Sequence, residues 1–458
     1  MRRRTRQRSA TIRIACASAA ALALLAPVAS AQEPSPEEQQ LRSTLAAQMA
    51  QGPAAAGAYV VDLTDGHVVF DDRGAEKRLS ASIAKLYTTA TALIELGPRK
   101  RLSTRVLGTG RRVGATWTGN LYLRGSGDFT FGTAAFARKA YGSHASVERL
   151  AAALRRSGLR RVRGRVLGDA SLFSDNGGSH FELVLCRDPL FGRDCPYGPA
   201  GKLERPIPNG PRTPIGFDRG LRGAAGAEPQ RRPATFAARR LARALRDAGV
   251  RVDGRPGAAQ TPARARALAA TRSPAVARLV KLINRPSDNY AADTMLRLVG
   301  ARVVADGSRA GGARAVTRTI AQRFGLAPEI RTGSGETILD RTSPREVVQL
   351  LAGMRARPEG RAFARSLSLA GRSGTLHRFA GSVAEGRCQL KDGTRVDPVL
   401  PNTTLNMSGY CTSVSGRTFA FGVMMNGMPL EFVPPDRIVS PAYALQDRIV
   451  EALAGYEG

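Results

Sequence analysis

Ser82-Ile83-Ala84-Lys85 sets a hydroxyl and an amine three residues apart. On a helix, positions i and i+3 share a face, so the amine can reach the hydroxyl. A lysine desolvated among other cations favours its neutral form and can take the hydroxyl proton. Ser82 is therefore a candidate nucleophile and Lys85 its candidate base. Far downstream, Ser287-Asp288-Asn289 adds a second hydroxyl and a carboxamide. Ser287 could relay a proton to a leaving amine, and Asn289 could orient a substrate amide. Asp288 reads as structural. Together these groups suit acyl transfer through a serine ester.

The elements that must hold these groups can be read from periodicity and turn residues. Residues 57–70 alternate around Thr64-Asp65-Gly66 and predict a β-hairpin. Residues 81–96 predict a helix that stops at Gly97-Pro98, with Ser82 in its first turn. There, unpaired backbone N–H groups could bind an oxyanion. Residues 274–285 and 290–299 predict helices on either side of Ser287-Asp288-Asn289, and 347–356 another. Residues 417–426 predict an apolar strand and 441–453 a last helix. Strands from both ends of the chain would then share one sheet.

Between 104 and about 261 the texture changes to short strands and turns, with helices expected at 147–157 and 234–248 and a strand at 163–167. Residues 186–222 are rich in Pro, Gly and Arg and read as irregular surface, and residues 33–40 as a mobile polar start. The 104–261 span reads as an insert between two halves of a catalytic domain, 32–103 and 262–458.

The chain has 458 residues, enough for two or three domains. Its formal charge is +32, mostly arginine, because lysine occurs only at 77, 85, 100, 139, 202, 281 and 391. Such an excess attracts polyanions. No helix-turn-helix, zinc-finger or RNP pattern accompanies it, so nucleic acid is not the expected partner. An anionic cell envelope is, alongside the bland reading of a composition that uses Arg for Lys. Six arginines before residue 14, an apolar run at 14–28 and Ala29-Ser30-Ala31 read as a signal peptide over 1–31, with an uncleaved anchor as the alternative. Its removal would leave +26. Beyond Cys16, four cysteines remain: Cys186, Cys195, Cys388 and Cys411. They allow three pairings, of which the local one, Cys186 with Cys195 and Cys388 with Cys411, is preferred. The four histidines (His67, His144, His180, His377) are scattered, so no metal site and no cofactor are expected.

These motifs resemble the D-alanyl-D-alanine carboxypeptidases/endopeptidases called class C low-molecular-mass penicillin-binding proteins. Residues 119–128 are similar to that family's G-x-L-Y-L-x-G-x-G-D segment, 168–173 to its G-D-x-S-x-F, and 284–289 to its N-R-x-S-D-N. The resemblance implies an α/β (α+β) fold: a β-lactamase/DD-peptidase-like domain, with a central antiparallel sheet flanked by helices, interrupted by a β-rich insert domain. It also implies a Lys-Thr-Gly-type strand. Two segments compete for that place. Arg372-Ser373-Gly374-Thr375 has Arg for Lys and is closer to a separate family segment, G-x-D-G-T-L. Lys391-Asp392-Gly393-Thr394 stands where the family places Lys-Thr-Gly-Thr and is favoured.

By resemblance, Lys391 would bind the substrate carboxylate, Gly393 would leave room for the substrate, and the N–H groups of Ser82 and Thr394 would form the oxyanion hole. Asp392 departs from the pattern by replacing a hydroxyl residue that faces the substrate carboxylate. Like charges ~4 Å apart repel by about 4 kcal/mol at an effective dielectric near 20. Residues 396–404 read as extra loop, and Thr332-Gly333-Ser334-Gly335 resembles the family's D-G-S-G with Thr for Asp. The expected function is a serine-type D-Ala-D-Ala carboxypeptidase/endopeptidase acting on peptidoglycan peptides outside the cytoplasm, with β-lactams as inhibitors. The alternatives are a catalytically impaired homologue that serves as a wall-binding scaffold, and a related Ser-x-x-Lys esterase or β-lactamase.

Overall fold

A computed structural model of the protein describes residues 33–174, 180–182, 207–222, 228–396, 402–429, 431–433, 437–439 and 441–458. The first element corrects the sequence reading. Where a mobile start is expected, helix α1 (Pro36–Ala50) forms. The Ser35 hydroxyl caps it by accepting from Glu38 N at 3.2 Å, and Pro36 supplies a preset φ at its first turn. Leu41, Leu45 and Met49 line its buried side. Ser-x-x-Glu ahead of that spacing is a readable start signal.

Strands β1 (Gly57–Asp62) and β2 (Val68–Asp72) form the expected hairpin. A single 3-10 turn, Ala81–Ile83, then leads into α2 (Ala84–Leu96). Next come β3 (Arg101–Gly108), β4 (Leu121–Arg124), α3 (Val147–Arg156), β5 (Val166–Asp169), α4 (Pro233–Asp247), β6 (Gly257–Ala258) and β7 (Arg266–Ala275). Helices α5 (Val276–Asn284) and α6 (Asn289–Val303) bracket Ser287 and Asp288. They are followed by α7 (Arg309–Phe324), α8 (Pro344–Arg355) and α9 (Gly360–Ala364). The chain ends with β8 (Ser368–Leu369), β9 (Cys388–Val396), β10 (Asn402–Thr412), β11 (Thr418–Pro429) and α10 (Pro441–Ala454).

The first sheet runs β8-β9-β10-β11-β1-β2, with every pair antiparallel. Strands from the two ends of the chain therefore meet at β1 and β11. Side chains alternate across it. Phe419, Phe421, Val423 and Met425 of β11 join α1 and α10 in one apolar cluster. Ala420, from the opposite face, joins α2, α6 and α8 in another.

The second sheet runs β6-β5-β4-β3-β7 and is mixed, with β5 parallel to β4 and β6. Leu150 and Leu154 of α3 and Leu241 and Leu245 of α4 supply much of its own core. Its long outer pair, β3 and β7, reaches past both ends of the 104–261 span. The strand expected at 163–167 is divided between Arg161–Arg163 and β5.

The described part of the 186–222 stretch departs from the expected surface at 210–217. Residues 210–217 are all buried. Phe217 packs edge-on against Phe131, with ring centroids 5.9 Å apart. Cys186 and Cys195 lie outside the described residues. Of the stretch expected as loop at 396–404, Val396 closes β9 and 402–404 open β10, and 397–401 lie outside the described residues.

Candidate active site

Ser82 occupies the 3-10 turn before α2, next to a strained residue: Ala81 has φ +42° without being glycine. Its surroundings hold it there. The Asn406 amide of β10 donates to Leu79 O at 2.9 Å and Ser80 O at 3.0 Å. Asn426 of β11 accepts from Leu79 N at 2.7 Å. The Ser80 hydroxyl donates to Asp340 O at 3.0 Å. Gly335, at φ +85°, lies so close that a Cβ there would stand 1.7 Å from Ala81 O. Strain of this kind persists only where neighbours over-determine it.

Lys85 is fully buried one turn below. Its amine donates to Ser82 Oγ at 2.6 Å, to Ser334 O at 2.9 Å and to Asn289 Oδ1. The Ser334 carbonyl and the Asn289 amide oxygen can only accept. Of these three partners Ser82 is the one that can also donate, so a neutral Lys85 amine finds a proton source at that contact.

Ser287 is a second left-handed residue, at φ +57°, in the link between α5 and α6. Asp288 caps α6 by accepting from Ala291 N at 2.9 Å, which suits the structural role read from sequence. Its other oxygen accepts from the Arg219 guanidinium. Arg219 also donates to Tyr141 Oη at 2.7 Å and lies 4.8 Å above the Tyr290 ring. Arg219 and its neighbour Asp218 are themselves left-handed, at φ +57° and +47°. No sequence motif flags Arg219.

The structure brings Lys391, not Arg372, to this cluster. The buried Lys391 amine donates to Ser287 Oγ at 2.9 Å, whereas Arg372 faces Glu385 at 3.2 Å. Lys391 also reaches its neighbour: Asp392 Oδ1 accepts from Lys391 Nζ at 3.0 Å and from the Thr375 hydroxyl at 2.7 Å. Burial would raise the Asp392 carboxyl, but the Lys391 charge, helped by Thr375, outweighs it and holds the group at about 2. Asp392 is therefore an anion with two partners rather than a bare charge, and it shares the Lys391 cation with Ser287.

Gly393 meets the nucleophile turn. A Cβ there would lie 3.2 Å from Ile83 N, Ile83 Cγ1 and Ser80 O, so what a side chain would press first is the base of the Ser82 turn. Thr394 is exposed and pairs with Leu405 of β10. On the other side of β9, β8 pairs with Gln389 and Leu390 alone. From Lys391 onward that edge of β9 has no strand neighbour among the described residues. Cys388 and Cys411 face each other in the β9–β10 register and form a disulfide.

Two further groups line the turn. Asp293 accepts from Gly333 N at 2.9 Å and the Ser334 hydroxyl at 3.2 Å, and the fully buried Arg212 lies 3.5 Å from its second oxygen. Thr332, in the D-G-S-G-like segment, donates its hydroxyl to Asp340. Burial pushes the Asp340 carboxyl up, against those hydrogen bonds. Among the described residues, Asp62, Asp65 and His67 could gather around a cation, with ligand atoms within 4.8 Å of one another. The sequence reading of scattered histidines passes over this group. The Arg417 guanidinium bonds both carboxylates, so part of their charge is already offset.

Comparison with known proteins gives a consistent likeness. The model of the D-Ala-D-Ala carboxypeptidase 3 (S13) family matches residues 38–181 and 227–445. A D-alanyl-D-alanine carboxypeptidase of Actinomadura sp. (strain R39) is 26% identical over 88% of this chain and 82% of its own length. The D-alanyl-D-alanine carboxypeptidase DacB of Haemophilus influenzae is 21% identical over 80% of this chain and 84% of its own. In fold, the chain is similar to the crystal structure of penicillin binding protein 4 from Haemophilus influenzae. That match has a TM-score of 0.67 at 18% identity and covers 89% of this chain and 98% of the other.

Proposed function

Because the chain belongs to the D-Ala-D-Ala carboxypeptidase 3 (S13) family, we propose that its acyl-enzyme forms on Ser82. The protein is a serine-type D-Ala-D-Ala carboxypeptidase, and β-lactams are its inhibitors. In this reading Lys85 takes the Ser82 proton as Oγ attacks the carbonyl of the penultimate D-alanine. The N–H groups of Ser82 and Thr394 receive the oxyanion. The C–N bond then breaks, and Ser287 passes a proton to the leaving amine. Water hydrolyses the ester and restores Ser82. Asn289 orients the substrate amide, and Lys391 draws in the terminal carboxylate. The peptide adds alongside the open edge of β9, where main-chain hydrogen bonds can hold it. No cofactor enters the scheme.

The observation that carries this reading is the chain of contacts from Ser82 through Lys85 to Asn289, with Lys391 on Ser287 beside it. The 104–261 span acts as an insert domain between catalytic halves 32–103 and 262–458. Residues 1–31 act as an export signal, and the protein works outside the cytoplasm on peptidoglycan peptides, near anionic envelope polymers. No helix among the described residues is long and apolar enough to cross a membrane.

One feature favours a second reading, a wall-binding homologue with impaired turnover: Asp392 takes part of the Lys391 charge. Labelling with a fluorescent penicillin decides between the two. Covalent label on the wild type and none on Ser82→Ala is expected. A folded wild type that stays unlabelled at high penicillin concentration overturns the enzyme reading and leaves the scaffold.

A further inference from the structure

Behind the Ser287 link, helices α5 and α9 flank a surface cleft of about 700 Å³. Five of its lining residues are cations: Arg278, Lys281 and Arg285 from α5 and the residue after it, and Arg361 and Arg365 from α9 and the residue after it. The spacings 278, 281, 285 and 361, 365 put each set on one helix face, so two basic stripes look at each other. No carboxylate lines the cleft. Neither helix contains an acid in its sequence. The neighbouring Glu359 is turned to Arg357, at 3.1 Å.

These cations have no carboxylate of the described chain beside them, unlike the arginines that do form ion pairs. Arg42, Arg161, Arg314, Arg345, Arg378 and Arg417 each meet a carboxylate within 4.0 Å. Among the described residues, none of the five cleft cations has such an ion pair. Arg285 donates to a backbone carbonyl, Arg365 O, at 3.3 Å, while its Nε is buried without a hydrogen-bond partner. Burial, and then the charges of Arg285, Arg278 and Arg365, push the Lys281 amine down. Burial and Arg278 do the same to Arg285. Like charges held together without a counter-charge disfavour this arrangement until an anion fills it.

We propose that this cleft is a binding site for a phosphate-bearing polyanion of the cell envelope, separate from the peptidase centre. The fork of a guanidinium matches the oxygens of a phosphate group two at a time. Five positive charges call for a ligand that brings several negative ones, which a single peptide carboxylate does not. The choice of an envelope polymer over nucleic acid rests on the peptidase reading, and the cleft itself does not. Occupancy would tether the enzyme to the wall beside the Arg285-Pro286-Ser287 link that leads to its catalytic groups.

The test is calorimetric titration of the full chain with tripolyphosphate, with poly(glycerol phosphate) and with single-stranded DNA of matched charge. The triple variant Arg278→Gln, Arg361→Gln, Arg365→Gln is compared with a control triple of exposed arginines, Arg231→Gln, Arg239→Gln, Arg246→Gln, at or on α4. Penicillin labelling of Ser82 is followed in every sample. Expected are saturable binding of both phosphate probes, a loss of at least tenfold in the cleft triple, and a change below twofold in the control. Equal losses in the two triples would reduce the effect to overall charge and overturn the proposal, as would an absence of binding. Cleft-dependent binding that favours DNA over poly(glycerol phosphate) would overturn the envelope assignment. If penicillin labels no sample but the cleft triple alone loses phosphate, the peptidase reading fails while the phosphate site stands.

Discussion

The Arg219 guanidinium bonds the carboxylate of Asp288, the residue between the two proposed catalytic side chains Ser287 and Asn289. It reaches them from the 104–261 span, and the contact ties the left-handed Arg219 to the residue that follows the left-handed Ser287. The region carrying the second sheet thus takes part in fixing the backbone of the proposed proton relay. Arg219→Ala should leave Ser82 able to be labelled but slow its acylation by roughly tenfold to a hundredfold, the scale of a small misplacement of reacting groups. Arg219→Lys should recover part of the rate. Second-order acylation constants read the effect, and a loss of folded protein with no change in rate would assign Arg219 to stability alone.

Asp392→Thr removes the anion that shares Lys391. The full like-charge repulsion of about 4 kcal/mol overstates the gain, because Lys391 lies beside the carboxylate and offsets part of it. An increase in kcat/KM for a D-Ala-D-Ala peptide on the order of tenfold to a hundredfold is expected, chiefly through KM. Steady-state kinetics with peptide and a simple ester check this. The ester carries no terminal carboxylate and should gain little.

At Gly393 the question is what the missing side chain spares. Gly393→Ala brings a methyl against Ile83 N and Ser80 O at 3.2 Å. The Ser82 turn must move, so penicillin acylation should fall by about tenfold or more, and kcat with it. A change confined to KM for peptide would mean that Gly393 serves the substrate and leaves the turn alone.

Stability should carry the mark of Asp128. Burial pushes its carboxyl up to about 6 against hydrogen bonds from Thr130, and its Oδ2 has no partner among the described residues. The folded state then holds a proton that the unfolded chain releases near 3.8. Stability is therefore lost as pH rises from there to about 6, by roughly 3 kcal/mol for this one group. Asp218, pushed up to about 6 by burial, acts in the same direction. Asp392 acts in the opposite direction, but below this window. Denaturant titrations at about pH 4 and pH 8 should show Asp128→Asn closing much of the difference between the two. An equal shift at both pH values would exclude the titration.

Much of this site is legible in the chain because its parts are local. Ser82 and Lys85 need one helical turn. Ser287, Asp288 and Asn289 need a helix end followed by a cap. Lys391 is found through the resemblance to a family that carries a Lys-Thr-Gly-type strand at this place before an apolar strand. The supports are invisible for the opposite reason. Asn406 and Asn426 hold the Ser82 turn from strands more than 320 residues away, and Arg219 reaches Asp288 across 69. Hydrophobic period and turn chemistry report on neighbours in sequence, and none of these contacts is local. The first helix is a different case: Ser35, Pro36 and Glu38 announce it, but the polar composition of residues 33–40 masks the apolar stripe that begins at Leu41. Buried 210–217 shows the same limit in reverse, since Pro, Gly and Arg suggest surface while Arg212 is interior.

The bare edge of β9 poses a problem of company. A main chain left open to receive one peptide is equally open to the strand of a second copy, and unpaired edges are where sheets begin to polymerise. Here the defence is charge. Arg395 stands on that strand, and the whole chain carries +32. Repulsion between copies would keep the edge for the proposed substrate as long as the solution lets it be felt, and salt shortens its range to about 3 Å at 1 M. Colloidal behaviour and substrate access are thus two sides of one strand.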